Sequence, residues 1–369
     1  MQSASENFLA SLINTPSPSG FEEPAQLLIF ERMKGYCDEV TSDVHGNVIG
    51  VVNPGGKLRV MLAGHVDQIG LMINHITDDG YIYFSSIGGV DEAIVPTQKV
   101  LVHGKSGPVP GVIGKKAIHL MSPEDRKKIP EMKTLFIDIG VSSRKEAEAM
   151  VGVSDPITFV APYQRLARDI ALGGGFDDRV GSFIVAETLR LLSTRKPKAA
   201  VYGVSTVQEE LGLRGARTSA FGIDPHAGIA IDVTHATDYP GSDKNAGGDV
   251  RLGRGPVLHR GANINAVLGD LMVTTARKKR IPFQFTGEPR ATGTDANSIQ
   301  LNRAGVAAAL ISIPNRYMHT PVELVSLSDL ENAAKIIAET IMTLTEETDF
   351  RPLIAHRERT APKTRGRKR

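Results

Sequence analysis

AAVYGVSTVQEELGLRGA, residues 199–216, sets how the rest of the chain is read. It opens with apolar and β-branched residues that make a buried strand, and two adjacent glutamates, Glu209 and Glu210, follow. Adjacent carboxylates repel and are costly to bring out of water unless positive charge sits beside them. The stretch then runs through glycine into GARTSAFG, which has helical character. Strand, polar turn and helix is the repeating unit of a largely parallel sheet, and ligands of such sheets collect beyond the carboxyl ends of the strands.

The same alternation extends outward. GSFIVAETLRLLS (181–193) reads as a helix, AGIAIDV (227–233) and GVAAALISI (305–313) as strands, and SLSDLENAAKIIAETIMTLTEE (326–347) as a long amphipathic helix. Upstream, residues 5–13 and 22–34 read as helices separated by the turn cluster TPSPSG, and strand-like runs occupy 38–53, with a turn at HGN, and 57–65. From about 72 to 165 the texture changes to short, β-branched segments punctuated by Gly and Pro, such as KVLVHGKSGPVPGVIG, with one helical stretch near SSRKEAEAMV. The expected fold class is therefore α/β: a mixed, largely parallel sheet flanked by helices, formed by 1–71 and 166–350, with an inserted small β-barrel-like domain at 72–165 and a tail at 351–369.

Composition narrows the function classes. The chain has 369 residues, 41% of them hydrophobic, enough for a sizeable core. Its net charge of +2 is uneven: residues 351–369 hold eight Lys/Arg and one Glu, leaving 35 basic against 40 acidic residues elsewhere. That tail lacks apolar periodicity and reads as disordered and solvated. Cys37 is the single cysteine, which excludes an intramolecular disulfide and fits a reducing compartment. The N-terminus lacks the basic and apolar regions of a signal peptide, and no apolar run is long enough to span a bilayer. The expected location is the cytoplasm, with no membrane partner.

Five segments end a buried run on polar residues: His65 and Asp67, Asp177 and Asp178, Glu209 and Glu210, Asp232 and His235, and His319. Singly, each has a simpler reading: a hydrogen-bonded histidine, a helix N-cap at Asp177 or Asp178, a solvated glutamate pair, an Asx turn. Jointly, five such sites on the same kind of element end would converge on one face of a parallel sheet. Imidazoles and carboxylates without thiolate suit Zn²⁺, Co²⁺ or Mn²⁺ in an open, reactive site. Four or more carboxylates call for two divalent ions rather than one. One of the adjacent glutamates could then bind metal while the other stays free to accept a proton from water.

GHVDQIG, GGGFDDRVG, VQEELGLRGA, IAIDVTHATDYPG, ATGTDANSIQ and RYMHTPVELVSLSDLE resemble, in that order, the dinuclear metallo-aminopeptidases of the tetrahedral (TET) type, which include glutamyl and deblocking aminopeptidases. The resemblance covers nearly all of residues 5–345 and leaves the basic tail outside. It implies peptide substrates cleaved at their free N-terminus, an inserted domain that drives dimerisation, and assembly of dimers into a tetrahedral dodecamer. Carried over position by position, it implies that Asp177 bridges two metals, His65 and Asp232 complete one site, and Glu210 and His319 complete the other. It also implies Glu209 as general base and Asp67 as the residue that orients His65. Thr294 and Asp295 in ATGTDANSIQ are candidates for the substrate pocket, although a turn capped by Asp295 explains them equally well.

The competing readings are another two-metal amide hydrolase (a deacylase or carboxypeptidase), a glycanase, and a nucleic-acid-associated protein acting through the tail. A glycanase would need a carboxylate pair across a sugar site and no metal pair. GKSG at 104–107 is not a P-loop, because Lys99 stands where the motif needs glycine.

Overall fold

The structure, a computed structural model, describes residues 1–360. Eight strands form the main sheet in the order β1 (Glu39–Ser42), β2 (Val48–Val52), β12 (Ala200–Thr206), β3 (Arg59–His65), β13 (Ala227–His235), β16 (Ala307–Asn315), β14 (Val257–Gly261) and β15 (Gln284–Glu288). The four central strands, β12, β3, β13 and β16, run parallel. The antiparallel pairs are β1 with β2, β2 with β12, and β14 with β16; β14 and β15 are parallel.

The central strands are apolar along their whole length because both faces are covered. Alternation splits them between two cores. Val60, Leu62, Ile229, Ile231, Ile311 and Ile313 enter the larger one. Met61, Ala63, Ala230, Ala308 and Leu310 enter the smaller one. Over the larger core lie α1 (Ser3–Ile13), α2 (Glu23–Lys34), α4 (Phe176–Ser193), α7 (Ala266–Lys279) and α9 (Leu327–Ile341). Helix α4 is buried nearly all round because it sits between the sheet and α1, α2 and α9. Among the described residues, the other face carries the two short helices α5 (Arg214–Ile223) and α8 (Asp295–Gln300). Gly64 in β3 and Gly181 in α4 meet backbone to backbone, and a Cβ on Gly64 would overlap the Gly181 carbonyl carbon. That contact draws the start of α4, which carries Asp177 and Asp178, against the end of β3, which carries His65.

Six strands close a separate barrel in the order β4 (Gly70–Ile76), β5 (Ile82–Ile87), β8 (Ile137–Asp138), β7 (Gly107–Ile113), β6 (Lys99–Gly104) and β9 (Pro156–Phe159). Its own core includes Ile73, Ile82, Phe84, Val100, Val102 and Ile157, and α3 (Arg144–Glu148) packs against β4. Closure pairs every strand and leaves no open sheet edge. A three-stranded sheet of β10 (Gln164–Arg165), β11 (Ile170–Gly173) and β17 (Glu323–Ser326) follows, and β11 leads directly into GGGFDD.

Helix α6 (Lys244–Gly247) and α10 (Pro352–Thr360) complete the elements. Helix α10 corrects the reading of a disordered tail over 352–360. Asn265 donates to the Phe350 carbonyl just ahead of it, and LIAHRER is rich in helix-compatible residues. Residues 361–369 of that tail lie outside the described residues. Among the described residues, no helix is long and apolar enough to cross a membrane.

Glu187 in α4 joins three helices. Its carboxylate accepts from Ser5 Oγ of α1 at 2.9 Å, from Arg32 Nη2 of α2 at 2.9 Å and from Arg190 Nε of α4 at 2.9 Å. Burial alone would raise its pKa; the bonds from Arg190 and Arg32 outweigh burial and hold it below the ordinary range. Glu187→Gln is expected to cost about 2–4 kcal/mol at pH 7 in urea unfolding. A depressed folded pKa gives stability that is fully present above the unfolded value of about 4.3 and fades as pH falls through the folded one. The difference between the two proteins should therefore shrink on acidification below about pH 4.

Candidate active site

The polar strand ends meet where alternation turns them toward the thinly covered face. His65 ends β3, Asp232 lies on β13 beside Ser312 of β16, and Glu209 and Glu210 follow β12. Asp177 starts α4, and His319 lies in the loop before β17. Donor atoms of His65, Glu209 and Asp232 all lie within 4.8 Å of one another, and so do those of Asp177, Glu210 and His319. Asp177 spans the two groups: its Oδ1 is 3.3 Å from His65 Nε2 and its Oδ2 is 3.2 Å from His319 Nε2.

Four carboxylates in the cluster face only two imidazoles, so it is short of positive charge. Burial, reinforced by Asp232, Asp295 and Asp177, pushes the Glu209 carboxyl up to about 10 despite the opposing His65. Burial and the charge of Asp177 likewise drive Asp232 well above its ordinary value. The Asp177 and Glu210 carboxylates that face the His319 ring raise it to about 11. Glu210 Oε1 is buried without a hydrogen bond, although His319 Nε2 stands 3.4 Å away. A carboxylate oxygen is left in this state when the partner it is built for is a cation. Carboxylate and imidazole donors in two adjoining groups fit divalent ions, and each group could hold one.

Three further carboxylates hold the main chain of these residues. Asp67 Oδ1 accepts from the Glu209 N–H at 3.0 Å, and its Oδ2 accepts from the Glu210 N–H at 3.2 Å and Ser19 Oγ at 2.7 Å. The shortest contact of His65 Nδ1 is to the Asp67 carbonyl oxygen at 3.1 Å, with the Asp67 carboxylate at 3.4 Å. Asp178, joined to Asp177 by a cis peptide bond, accepts from the His65 N–H at 3.2 Å and caps α4 by accepting from the Gly181 N–H at 3.0 Å. Glu323 accepts from the N–H of Asp177 at 3.2 Å and of His319 at 3.0 Å. Ser19 and Glu323 are supports to which the sequence reading gave no role, and Asp178 adds its bond to the His65 N–H to the helix N-cap role expected of it. Asp178 carried a usable signal, an acidic residue ahead of a helix. Glu323 sits inside a quoted motif but has no local mark.

A cavity of about 730 Å³ opens from the cluster, lined by all six of its residues together with His235, His259, Phe285, Glu288, Thr294, Leu310 and Met318. Thr294 faces this cavity and exchanges a 2.8 Å hydrogen bond with Thr292. Asp295 lies behind the lining, where its Oδ2 accepts from Thr206 Oγ1 at 2.6 Å. A smaller cavity of about 290 Å³, on the barrel side of the GGG loop, contains none of the cluster residues. Cys37 takes no part, since burial pushes its thiol up to about 12.

Residues 46–336 match the M42 glutamyl aminopeptidase family. A lysyl aminopeptidase of Pyrococcus furiosus is 39% identical over 93% of this chain and 98% of its own. The crystal structure of a TET aminopeptidase from a marine sediment archaeon, Thaumarchaeota archaeon SCGC AB-539-E09, superposes with a TM-score of 0.89 at 36% identity, covering 93% of this chain and 97% of the other. The Pyrococcus horikoshii TET1 peptidase, described as assembling into a tetrahedron or a large octahedral shell, gives 0.83 at 31% identity over 92% of this chain and 100% of its own.

Removing the clamp on Asp177 and His319 tests the support. Glu323→Ala should leave the far-ultraviolet circular dichroism unchanged and weaken divalent-cation binding about 10–100-fold. Calorimetric titration of metal-stripped protein measures the change.

Proposed function

The chain belongs to the M42 glutamyl aminopeptidase family and is thus a peptidase that removes N-terminal residues, and we propose that it does so by two-metal hydrolysis with Glu209 as general base. The observation that carries this reading is the pair of donor groups sharing Asp177, with a carboxylate oxygen aimed at each imidazole. His65 and Asp232 would hold one ion, Glu210 and His319 the other, and Asp177 both. Zn²⁺ or Co²⁺ suits these donors, and Mn²⁺ is compatible. The bound ions supply the charge that acidifies water and polarises the scissile carbonyl.

The protein's own contribution is position and proton transfer. Glu209 is almost fully buried, its main chain is fixed by Asp67, and its Oε2 lies 3.7 Å from His65 Nε2. From there it takes the proton of the attacking water and returns it to the leaving amine. Asp67 and Glu323 keep the donors in register, and Thr294 lines the space that the terminal residue fills. The carboxylates of the cluster attract the free α-ammonium of the peptide and confine cleavage to the terminal residue. The single, half-buried cysteine fits a cytoplasmic enzyme.

Assembly belongs to the same reading. We take the barrel with its loops, 72–165, as the dimerisation domain of a catalytic body formed by 1–71 and 166–350. Ile118, Leu120 and Ile129 stand exposed on the segment between β7 and β8, as Val153 does between α3 and β9. Such side chains are costly to leave in water and suit a subunit contact.

Glu209→Gln is expected to bind divalent ions as the native protein does and to lose about 10²–10⁴-fold in kcat on aminoacyl peptides. Near-normal turnover would remove Glu209 as the base. Chelation should abolish cleavage, Zn²⁺, Co²⁺ or Mn²⁺ should restore it, and N-acetylated peptides should resist. Sedimentation velocity is expected to show a twelve-chain particle built from dimers, whereas a monomer at micromolar concentration would remove the assembly.

A further inference from the structure

The relatives named above are called lysyl or glutamyl, so the charge of the accepted side chain has to be read from this chain itself. The cavity floor can be followed residue by residue away from the cluster. Asp232 stands opposite Ser312 in the parallel register of β13 and β16. Ser312 Oγ is hydrogen-bonded to His259 Nε2 of β14 at 2.9 Å. On the other side of the same imidazole, Nδ1 lies 3.1 Å from Glu288 Oε1 of β15 and 2.9 Å from Thr286 Oγ1. The floor thus crosses three strand spacings, roughly 14 Å, and ends on a carboxylate. Leu310 and Met318 supply apolar surface along it.

The charge of that floor has one sign. Among the described residues, no lysine or arginine lines the cavity. Basic residues on the bordering segments are turned elsewhere: Lys244 and Arg251 pair with Asp249, Arg316 pairs with Asp238, Arg260 pairs with Asp270 beside the Phe285 ring, and Arg290 is exposed outside the lining. Glu288 is held by its bond to His259, and a carboxylate with four lone-pair sites keeps capacity for a ligand. About a third of its side chain is exposed to the cavity side, so a ligand can reach it.

We propose that this cavity selects peptides whose N-terminal residue is cationic, lysine or arginine, and that Glu288, positioned by His259, pairs with the charged end of that side chain. The inference rests on the aminopeptidase reading above. The aliphatic stem of lysine or arginine lies along the apolar surface while its head meets Glu288. A glutamyl N-terminus instead brings a second carboxylate to Glu288 with no cation to separate them, and is rejected by repulsion.

The test uses the full chain loaded with Co²⁺ and a matched set of lysyl, arginyl, leucyl and glutamyl peptides. Lysyl and arginyl peptides are expected to exceed glutamyl ones by about 100-fold or more in kcat/KM. Glu288→Gln keeps an acceptor for His259 and should cut the lysyl value about 10–50-fold while leaving the leucyl value within about threefold. The leucyl rate doubles as the check that the variant is folded. Glu288→Lys should move the preference toward glutamyl peptides. Binding is separated from turnover on Glu209→Gln protein, where calorimetry should rank lysyl-alanine above glutamyl-alanine. Equal cleavage of glutamyl and lysyl peptides, or an unchanged lysyl-to-leucyl ratio in Glu288→Gln, overturns the charge selection and leaves the aminopeptidase standing. Failure to cleave any free-amine peptide with any metal overturns both.

Discussion

Like charge crowded into low dielectric is the constraint on which the rest of this structure depends. Asp177, Glu209, Glu210 and Asp232 share one strand-end region with only two imidazoles. The groups that hold them in place are carboxylates too: Asp67 grips the main chain of Glu209 and Glu210, Asp178 that of His65, and Glu323 that of Asp177 and His319. Each support is satisfied by N–H donors, so it orients its partners without neutralising them. The centre is therefore acidic from the inside out. Multivalent cations are the compact way to balance it, because a lysine or arginine would fill the space that the substrate needs.

The fold meets this demand with ordinary means. Side-chain alternation in β3, β13 and β16 sends the large aliphatics toward α4 and α9 and turns Ala63, Ala230 and Leu310, with His65, Asp232 and Ser312 after them, to the face that α5 and α8 cover. Thin cover leaves room for a cavity beyond those helices. The Gly64–Gly181 contact then fixes how closely the acidic start of α4 approaches β3. A chain without these two glycines could keep the sheet and lose the distance between His65 and Asp177.

Much of this was legible because it is written in short range. Apolar runs ending in His, Asp or Glu mark the central strands and their chemistry together, and the Gly- and Pro-punctuated segments before residue 165 mark the β-rich unit. What was not legible depends on long-range partners. Glu323 acts on Asp177 across 146 positions, and Ser19, in a segment read simply as a turn, supports Asp67. Strands β14 and β15 and helix α7 received no assignment; VLHRG and QFTGE are short segments of mixed polarity that become strands by pairing. Helix α9 stops at Ile341 although the amphipathic pattern runs to 347; the Thr340 and Thr343 hydroxyls bond back to main-chain carbonyls there, which competes with further helix. The reading of Asp295 as a pocket residue met the same difficulty. Its carboxylate accepts from Thr206 at the end of β12, and Thr294 beside it faces the cavity.

The adjacency of Glu209 and Glu210 has a geometric explanation. Glu209 and Glu210 stand in the turn after β12, where the Glu209 carbonyl accepts from the Gly212 and Leu213 N–H groups. Neighbours in such a turn point their side chains in different directions, so the two cannot serve one ion in the same way. Here the divergence is put to use: Glu209 turns toward His65 and Asp232, and Glu210 turns toward His319 and Asp177. One carboxylate, that of Asp67, takes both of their N–H groups and so fixes the point from which they diverge. Its chain neighbour two residues back is His65, a member of the first group. A single short strand end thus carries a ligand candidate and the anchor for two more, and the three cannot move independently. The proton transfer proposed for Glu209 would need its carboxylate held at a fixed place relative to the imidazoles, and this shared anchor ties its main chain to the strand end that carries His65.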